Sequence, residues 1–147
     1  MKGTTQVPSV YVLLRRGGKL AFVLRTHTGF MDGAYSLPAG HVEDGETFRE
    51  AAIREAFEET GVKVNIDDLK YLHTMQRNRG DHVRVDVFFE AAKWEGEPTN
   101  AEPELHGELT WFLADGLPYE DIMDYQGEAL RQIAAGKQYS EFGWDNK

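Results

Sequence analysis

The segment 47–61, TFREAAIREAFEETG, constrains the fold of this chain more than any other stretch. Thr47 and Glu50 have the T-x-x-E spacing of a capping box, in which hydroxyl and carboxylate each satisfy a free amide at a helix start. Gly61 stands where a helix ends in left-handed backbone. A helix over about 47–60 follows. Phe48, Ala51, Ala52 and Ala56 give it a small apolar stripe, narrow enough to lie close against a sheet. Glu55, Glu58 and Glu59 are spaced i, i+3 and i+4, so they project from one side. Like charges at that spacing repel by roughly 0.2–0.5 kcal/mol per pair. A hard divalent cation such as Mg²⁺, which takes oxygen ligands and shares them with phosphates, would remove the penalty. The competing reading is a solvated acidic helix face.

Around this helix the chain reads as strands. Residues 8–14 (PSVYVLL) and 19–25 (KLAFVLR) flank Arg15-Arg16-Gly17-Gly18, and Gly-Gly is a strong hairpin turn. Residues 26–35 are turn-rich, followed by a short extended piece at 36–38. Strands are expected over 68–76 and 82–92, the second with Val83, Val85 and Val87 alternating with polar residues. An acidic loop, 94–107, leads to a strand at 109–113, a helix at roughly 121–135 and a polar tail. The pattern predicts one α+β domain over 1–147, a mixed sheet with helices packed on it.

Composition narrows the chemistry. The 147 residues are 41% hydrophobic and 28% charged, the balance of a globular domain. No apolar run approaches the roughly 20 residues needed to span a bilayer, and the N-terminus has no apolar h-region with a small-residue cleavage site. Membrane partners are therefore not expected, and cytoplasmic residence is the default. There is no cysteine, which excludes disulfides and thiolate zinc sites. No His-rich metal pattern appears either, so zinc is not expected. Sixteen basic against 25 acidic residues give a net charge of −9, unsuited to holding a nucleic-acid backbone.

The run from Gly40 to Val62 fixes nine positions in 23 residues: Gly40, Glu46, Arg54, Glu55, Ala56, Glu58, Glu59, Gly61 and Val62. This spacing, G-x5-E-x7-R-E-A-x-E-E-x-G-V, resembles the Nudix hydrolase signature. The resemblance implies a Nudix-type α/β/α sandwich with a mixed β-sheet between helices, and hydrolysis of a phosphoric anhydride with Mg²⁺ or Mn²⁺. Glu55, Glu58 and Glu59 are then the metal cluster, with Glu55 the choice for base. The carbonyl of Ala39 is a further metal ligand by the same analogy. Arg54 and Glu46 are expected to pair and orient the glutamates, with phosphate contact by Arg54 the rival role. Gly40 and Gly45 suit a tight loop where glycine takes φ > 0, and Gly61 stops the helix.

A second resemblance lies in the acidic loop. Its WEGEP stretch, Trp94 to Pro98, resembles the corresponding loop of the MutT branch, where a loop glutamate reaches the metal. Glu102 is the matching position, with Glu104 and Glu108 as competitors and a solvated loop as the bland reading. The proline, tyrosine and Gln/Pro/Trp/Phe signatures of the ADP-ribose, diadenosine-polyphosphate and NADH-type branches are absent. That elimination favours a nucleoside triphosphate, modified or oxidised bases included, split to a nucleoside monophosphate and pyrophosphate. Arg25 is a candidate for phosphate or sugar, against a plain surface arginine. Asp121 is a candidate for the base edge, against a helix cap. Phe30, Tyr35, Phe88 and Tyr119 are candidates for base stacking, against core or rim packing. His41 is placed near phosphate, while His73 and His82 read as structural. The alternatives are another nucleoside diphosphate-X (nucleotide sugar, ADP-ribose or dinucleotide), or a non-catalytic nucleotide sensor; the intact glutamates argue against a sensor. Members are often homodimers, but no interface is legible here.

Overall fold

The computed structural model describes residues 2–145. In chain order they form β1 (Gln6–Arg16), β2 (Lys19–Arg25), β3 (Tyr35–Ser36), β4 (Ala39–His41), α1 (Phe48–Thr60), β5 (Leu69–Asn78), β6 (Val83–Ala91), β7 (His106–Leu113), α2 (Asp124–Ala134) and β8 (Tyr139–Phe142). The strand order is β3-β2-β1-β6-β5-β8, with β4 beside β1 and β7 beside β2. β1 runs parallel to β6 and β5 parallel to β8, while the remaining pairs are antiparallel, so the sheet is mixed.

The two helices cover opposite faces of that sheet. Val10, Val12 and Leu14 pack with Ala51, Ala52 and Ala56 of α1. Tyr11 and Leu13, pointing the other way, pack with Tyr125, Ala129 and Leu130 of α2. This is why the middle of β1 reads as an unbroken apolar run: both its faces are buried. Each such side chain contributes about 1.5–3 kcal/mol on leaving water. The result is an α/β/α sandwich. Among the described residues no helix is long and apolar enough to cross a membrane.

Local signals set the element ends. Thr47 accepts from the Glu50 amide, the Glu50 carboxylate accepts from the Thr47 amide, and Gly61 closes α1 at φ 79°. Gly17 and Gly18 both take positive φ, as a two-residue hairpin turn between right-twisted strands requires.

Four boundaries differ from the sequence reading. β4 is three residues long and has no periodicity of its own; pairing with β1 creates it. β8 is a half-exposed edge strand, so its residues show no apolar alternation. β7 begins at His106, three residues before the apolar run, because His106 pairs with Arg25 across a register shift. α2 starts at Asp124, since 119–121 form a separate 3₁₀ turn.

One feature of the pairing shapes the site. β1 pairs with β2 only at Arg15 and Arg16, and with β4 through Ser9–Tyr11. Its early half therefore leaves β2, and a cleft opens between the strands.

Candidate metal and nucleotide site

The site is built on the last turns of α1. Glu59 is 5% exposed, and one of its carboxylate oxygens accepts from the Ala39 amide at 3.0 Å. Ala39 faces Tyr11 across the β4–β1 pair, while the flanking hydrogen bonds run from Val12 N to Pro38 O and from Val42 N to Pro8 O. Ala39 is thus a non-hydrogen-bonded partner whose amide and carbonyl both point away from β1. That turns the Ala39 carbonyl toward the glutamate side, where the sequence reading put a backbone ligand.

Gly40 has a different reason for being glycine than the one expected. Its φ is not positive; Gly45, at φ 83°, is the residue that needs left-handed backbone. A Cβ on Gly40 would overlap the Glu55 carboxylate, which lies directly against the strand. Glycine here makes room for a functional group.

Arg54 binds the cluster from the side. Its Nε meets Glu46 at 2.6 Å and its two terminal nitrogens reach Glu46, Glu55, Glu58 and the His41 carbonyl at 2.7–3.2 Å. One guanidinium fork thereby ties the loop before α1 to two glutamates on it. The hydrogen bond from Arg54 holds Glu46 below the usual carboxylate range.

The acidic loop is fastened to the other end of α1. Trp94 stacks with Trp111 at 6.3 Å, and Glu97 forks onto Arg16, which lies over the same Trp111 ring. Further on, the Thr99 and Ala101 amides donate to the Thr60 and Glu59 carbonyls, both at 3.0 Å. These are carbonyls that a helix end leaves without partners. Asn100 then accepts from the Glu102 amide and donates to the His106 carbonyl. Glu102 is so delivered to Glu59, whereas Glu104 and Glu108 are exposed. His106 arrives with it; its Nε2 is 3.9 Å from Glu59 and its Nδ1 4.0 Å from Glu102. His106 was not among the expected ligands; its local signal is the E-x3-H spacing from Glu102.

The electrostatics resemble those of a cation site. Burial pushes the Glu59 carboxyl well up, and Glu55 and Glu102 add to the rise; burial raises Glu55, against the pull of Arg54. Glu102 is also raised, by burial and then by Glu58 and Glu104. No described basic side chain forms a close pair with Glu59 or Glu102; the nearest is the His106 ring. A divalent ion with oxygen ligands would relieve all three, so the donor set fits one.

Beside the cluster, past Ala39, Gly40 and His41, lies a cleft of about 230 Å³. This is less than the roughly 300–1,000 Å³ of a whole small-molecule site, room for only one portion of such a ligand. Arg25, Arg77, Arg79 and Arg84 line it, a basic patch in an acidic protein. Arg77 is spoken for by Asp86 at 2.7 Å and lies over the Tyr125 ring. Arg25 and Arg79 flank the Phe30 ring, and among the described residues Arg79 and Arg84 form no ion pair with a carboxylate.

Several candidates fall elsewhere. Asp121 sits in the 3₁₀ turn 119–121 and lines a separate depression with Met31, Asp32 and Glu120; Met123 and Gln126 hold the cleft wall instead. The turn ends short of α2 and directs Asp121 outward. Of the four aromatic candidates only Phe30 lines the cleft. Phe88 is buried against Tyr11, Tyr35 packs on Phe112 and Tyr119 on Arg131. His73 is buried between Lys137 O and Ser140 Oγ, joining β5 to the segment around β8. His82 pairs with Asp81 at the surface.

An α/β/α sandwich with an acidic cluster at one helix end and a basic cleft beside it defines a class of phosphate-handling enzyme. Residues 5–133 match the NUDIX domain model, and the chain belongs to the Nudix family of hydrolases. It is 36% identical over 111 residues to the NAD-capped RNA hydrolase NudC of Chromobacterium violaceum, covering 76% of this chain and 39% of that one. NudC of Haemophilus influenzae is 37% identical over 109 residues, with 74% and 39% covered. The chain spans about two fifths of the length of these curated relatives. Among solved structures, a MutT NUDIX hydrolase from Burkholderia pseudomallei superposes with TM-score 0.78 at 25% identity, covering 88% of this chain and 99% of that one. The E. coli ORF135 protein shares the fold at TM-score 0.76 and 21% identity, with 88% and 89% covered.

Proposed function

We propose that this chain is a divalent-metal-dependent pyrophosphohydrolase that cleaves a nucleoside triphosphate to a nucleoside monophosphate and pyrophosphate. The observation that carries this reading is that Glu59 on α1 meets Glu102 from a distant loop, with Glu55 acting on Glu59 from the same helix, beside a cleft lined by arginines. Mg²⁺ or Mn²⁺, held by Glu55, Glu58, Glu59, Glu102 and the Ala39 carbonyl, would neutralise phosphoryl oxygens and lower the pKa of a water. The remaining work belongs to the chain. Glu55 takes a proton from the attacking water as its oxygen bonds to phosphorus, and the P–O anhydride bond breaks with its electron pair leaving on the departing phosphate oxygen. Glu102 is the second candidate for that proton. Arg54 orients Glu55, while Arg79 and Arg84 meet negative charge on the substrate. Phe30 lines the same cleft as Arg25 and Arg79 and is the aromatic candidate for packing against the base.

The MutT-like WEGEP loop supports the triphosphate. A second reading, hydrolysis of a nucleoside diphosphate linked to another moiety, is favoured by the NudC relatives, whose substrate class the missing branch signatures had set aside. A panel of ordinary and 8-oxo dNTPs, ADP-ribose, nucleotide sugars, NAD and a diadenosine polyphosphate, with Mg²⁺ and with Mn²⁺, separates the two. Pyrophosphate released from triphosphates, and lost in Glu59→Gln, supports the first; turnover of linked diphosphates alone moves the protein to the second. No turnover by folded protein, with ligand-induced shifts in Tm, would mean a nucleotide sensor.

A further inference from the structure

Three ligand atoms, one from Glu59 on α1 and one each from Glu102 and His106 four residues apart, lie within 4.8 Å of one another. The imidazole stands between the two carboxylates, 3.9 Å from Glu59 and 4.0 Å from Glu102. Both distances are too long for hydrogen bonds. Yet the His106 side chain is only 7% exposed, and its Nδ1 is buried without a hydrogen-bond partner. Leaving such a nitrogen unpaired opposes folding, and the fold does not relax it away. The His106 main chain is fixed on two sides, by the Asn100 amide and by β-pairing opposite Arg25. The ring is held facing a point that it shares with two carboxylates.

We infer that Glu59, Glu102 and His106 form a mixed nitrogen–oxygen cation site, in which the His106 imidazole is a direct ligand and biases the protein toward a transition-metal ion over Mg²⁺. The inference rests on the reading of the glutamate cluster as a metal centre and adds a ligand to it. Mg²⁺ prefers oxygen donors and retains water, whereas imidazole suits first-row transition ions. An all-carboxylate cluster would not discriminate this way. One histidine at its inner edge does.

The test is metal binding. Metal-free protein and its His106→Asn variant are titrated with Co²⁺, followed by visible absorption, and with Mg²⁺, followed by calorimetry. The variant is expected to bind Co²⁺ roughly 10–100-fold more weakly, the scale on which residues supporting a metal site act, with an altered absorption band and Mg²⁺ affinity nearly unchanged. An unchanged Co²⁺ band and affinity would overturn the inference. Equal losses for both metals would do so too, since they indicate a structural role. Should the variant not fold, ¹⁵N NMR of the wild-type imidazoles with Zn²⁺ decides: one His106 ring nitrogen must shift as a ligand, and a spectrum without that shift overturns the proposal. Failure of the underlying reading looks different, because the wild type would then bind neither Co²⁺ nor Mg²⁺ in a Glu59-dependent way.

Discussion

The amide of Ala101 donates to the main-chain carbonyl of Glu59 at 3.0 Å, so the helix turn that carries the most buried glutamate also anchors the loop bringing Glu102 to it. The two halves of the acidic cluster, over forty residues apart in sequence, are registered by helix-end carbonyls that need partners in any case.

Asn100 extends that register through one hydrogen bond to the Glu102 amide and one to the His106 carbonyl. Replacing it with Ala removes both while leaving every carboxylate in place. The expected result is a kcat lowered by roughly 10–100-fold, as for partners that orient metal ligands, with a small change in Tm. Steady-state kinetics at saturating Mg²⁺ measure it, and an unchanged kcat would show that Glu102 is positioned without Asn100.

Gly40→Ala drives a methyl group into the Glu55 carboxylate. Either the strand or the carboxylate must move. Activity should fall by at least about 10-fold in a protein that still melts cooperatively, and Gly45→Ala, which meets only open space but must hold φ > 0, should cost stability rather than rate. Parallel thermal melts and rate measurements on the two variants distinguish displacement of a functional group from backbone strain.

Glu59 ties pH to stability with a definite sign. Burial raises its carboxyl pKa in the folded protein, so the charged form opposes folding. The cost is absent below the unfolded pKa, about 4.3 for Glu, and grows as pH rises above it toward the folded value. In metal-free protein, Glu59→Gln should therefore melt higher than the wild type, by a margin that widens as pH rises above the unfolded value and levels off past the folded one. Mg²⁺ should raise the wild-type Tm and leave the variant's nearly unmoved. A margin that shrinks with rising pH would contradict the assignment.

Arg54→Lys keeps the charge but loses the planar fork that reaches Glu46, Glu55, Glu58 and the His41 carbonyl together. Both Lys and Ala variants should lose activity, by roughly 10–100-fold, and Ala should also lower Tm. A Lys variant with full activity would show that charge alone suffices.

Asp86 is fully buried beneath the arginine-lined cleft, accepting from Arg77 at 2.7 Å and Tyr11 at 3.0 Å. Asp86→Asn leaves the Arg77 guanidinium without its counter-charge. Removing one partner of a buried ion pair costs about 3–5 kcal/mol, readable as a lower urea midpoint, whereas an unchanged midpoint would mean that water reaches Arg77.

The sequence by itself determined the elements whose causes are local. Thr47, Glu50 and Gly61 define α1, Gly17-Gly18 defines the hairpin, and the 3–4 residue spacing of Glu55, Glu58 and Glu59 puts them on one side of a helix, because helix geometry and backbone sterics act over a few residues. The nine spaced positions from Gly40 to Val62 were enough to give the family. Tertiary structure decided everything that depends on what a residue meets. Gly40 is required by a carboxylate fifteen positions later, β4 and β8 exist only as partners of β1 and β5, and Asp121 is turned away from the cleft by a 3₁₀ turn. His106 joins Glu59 and Glu102 only because β7 starts early and a loop is hydrogen-bonded to the end of α1. Such contacts have no period along the chain: E-x3-H puts His106 near Glu102, but nothing local says that the pair meets Glu59.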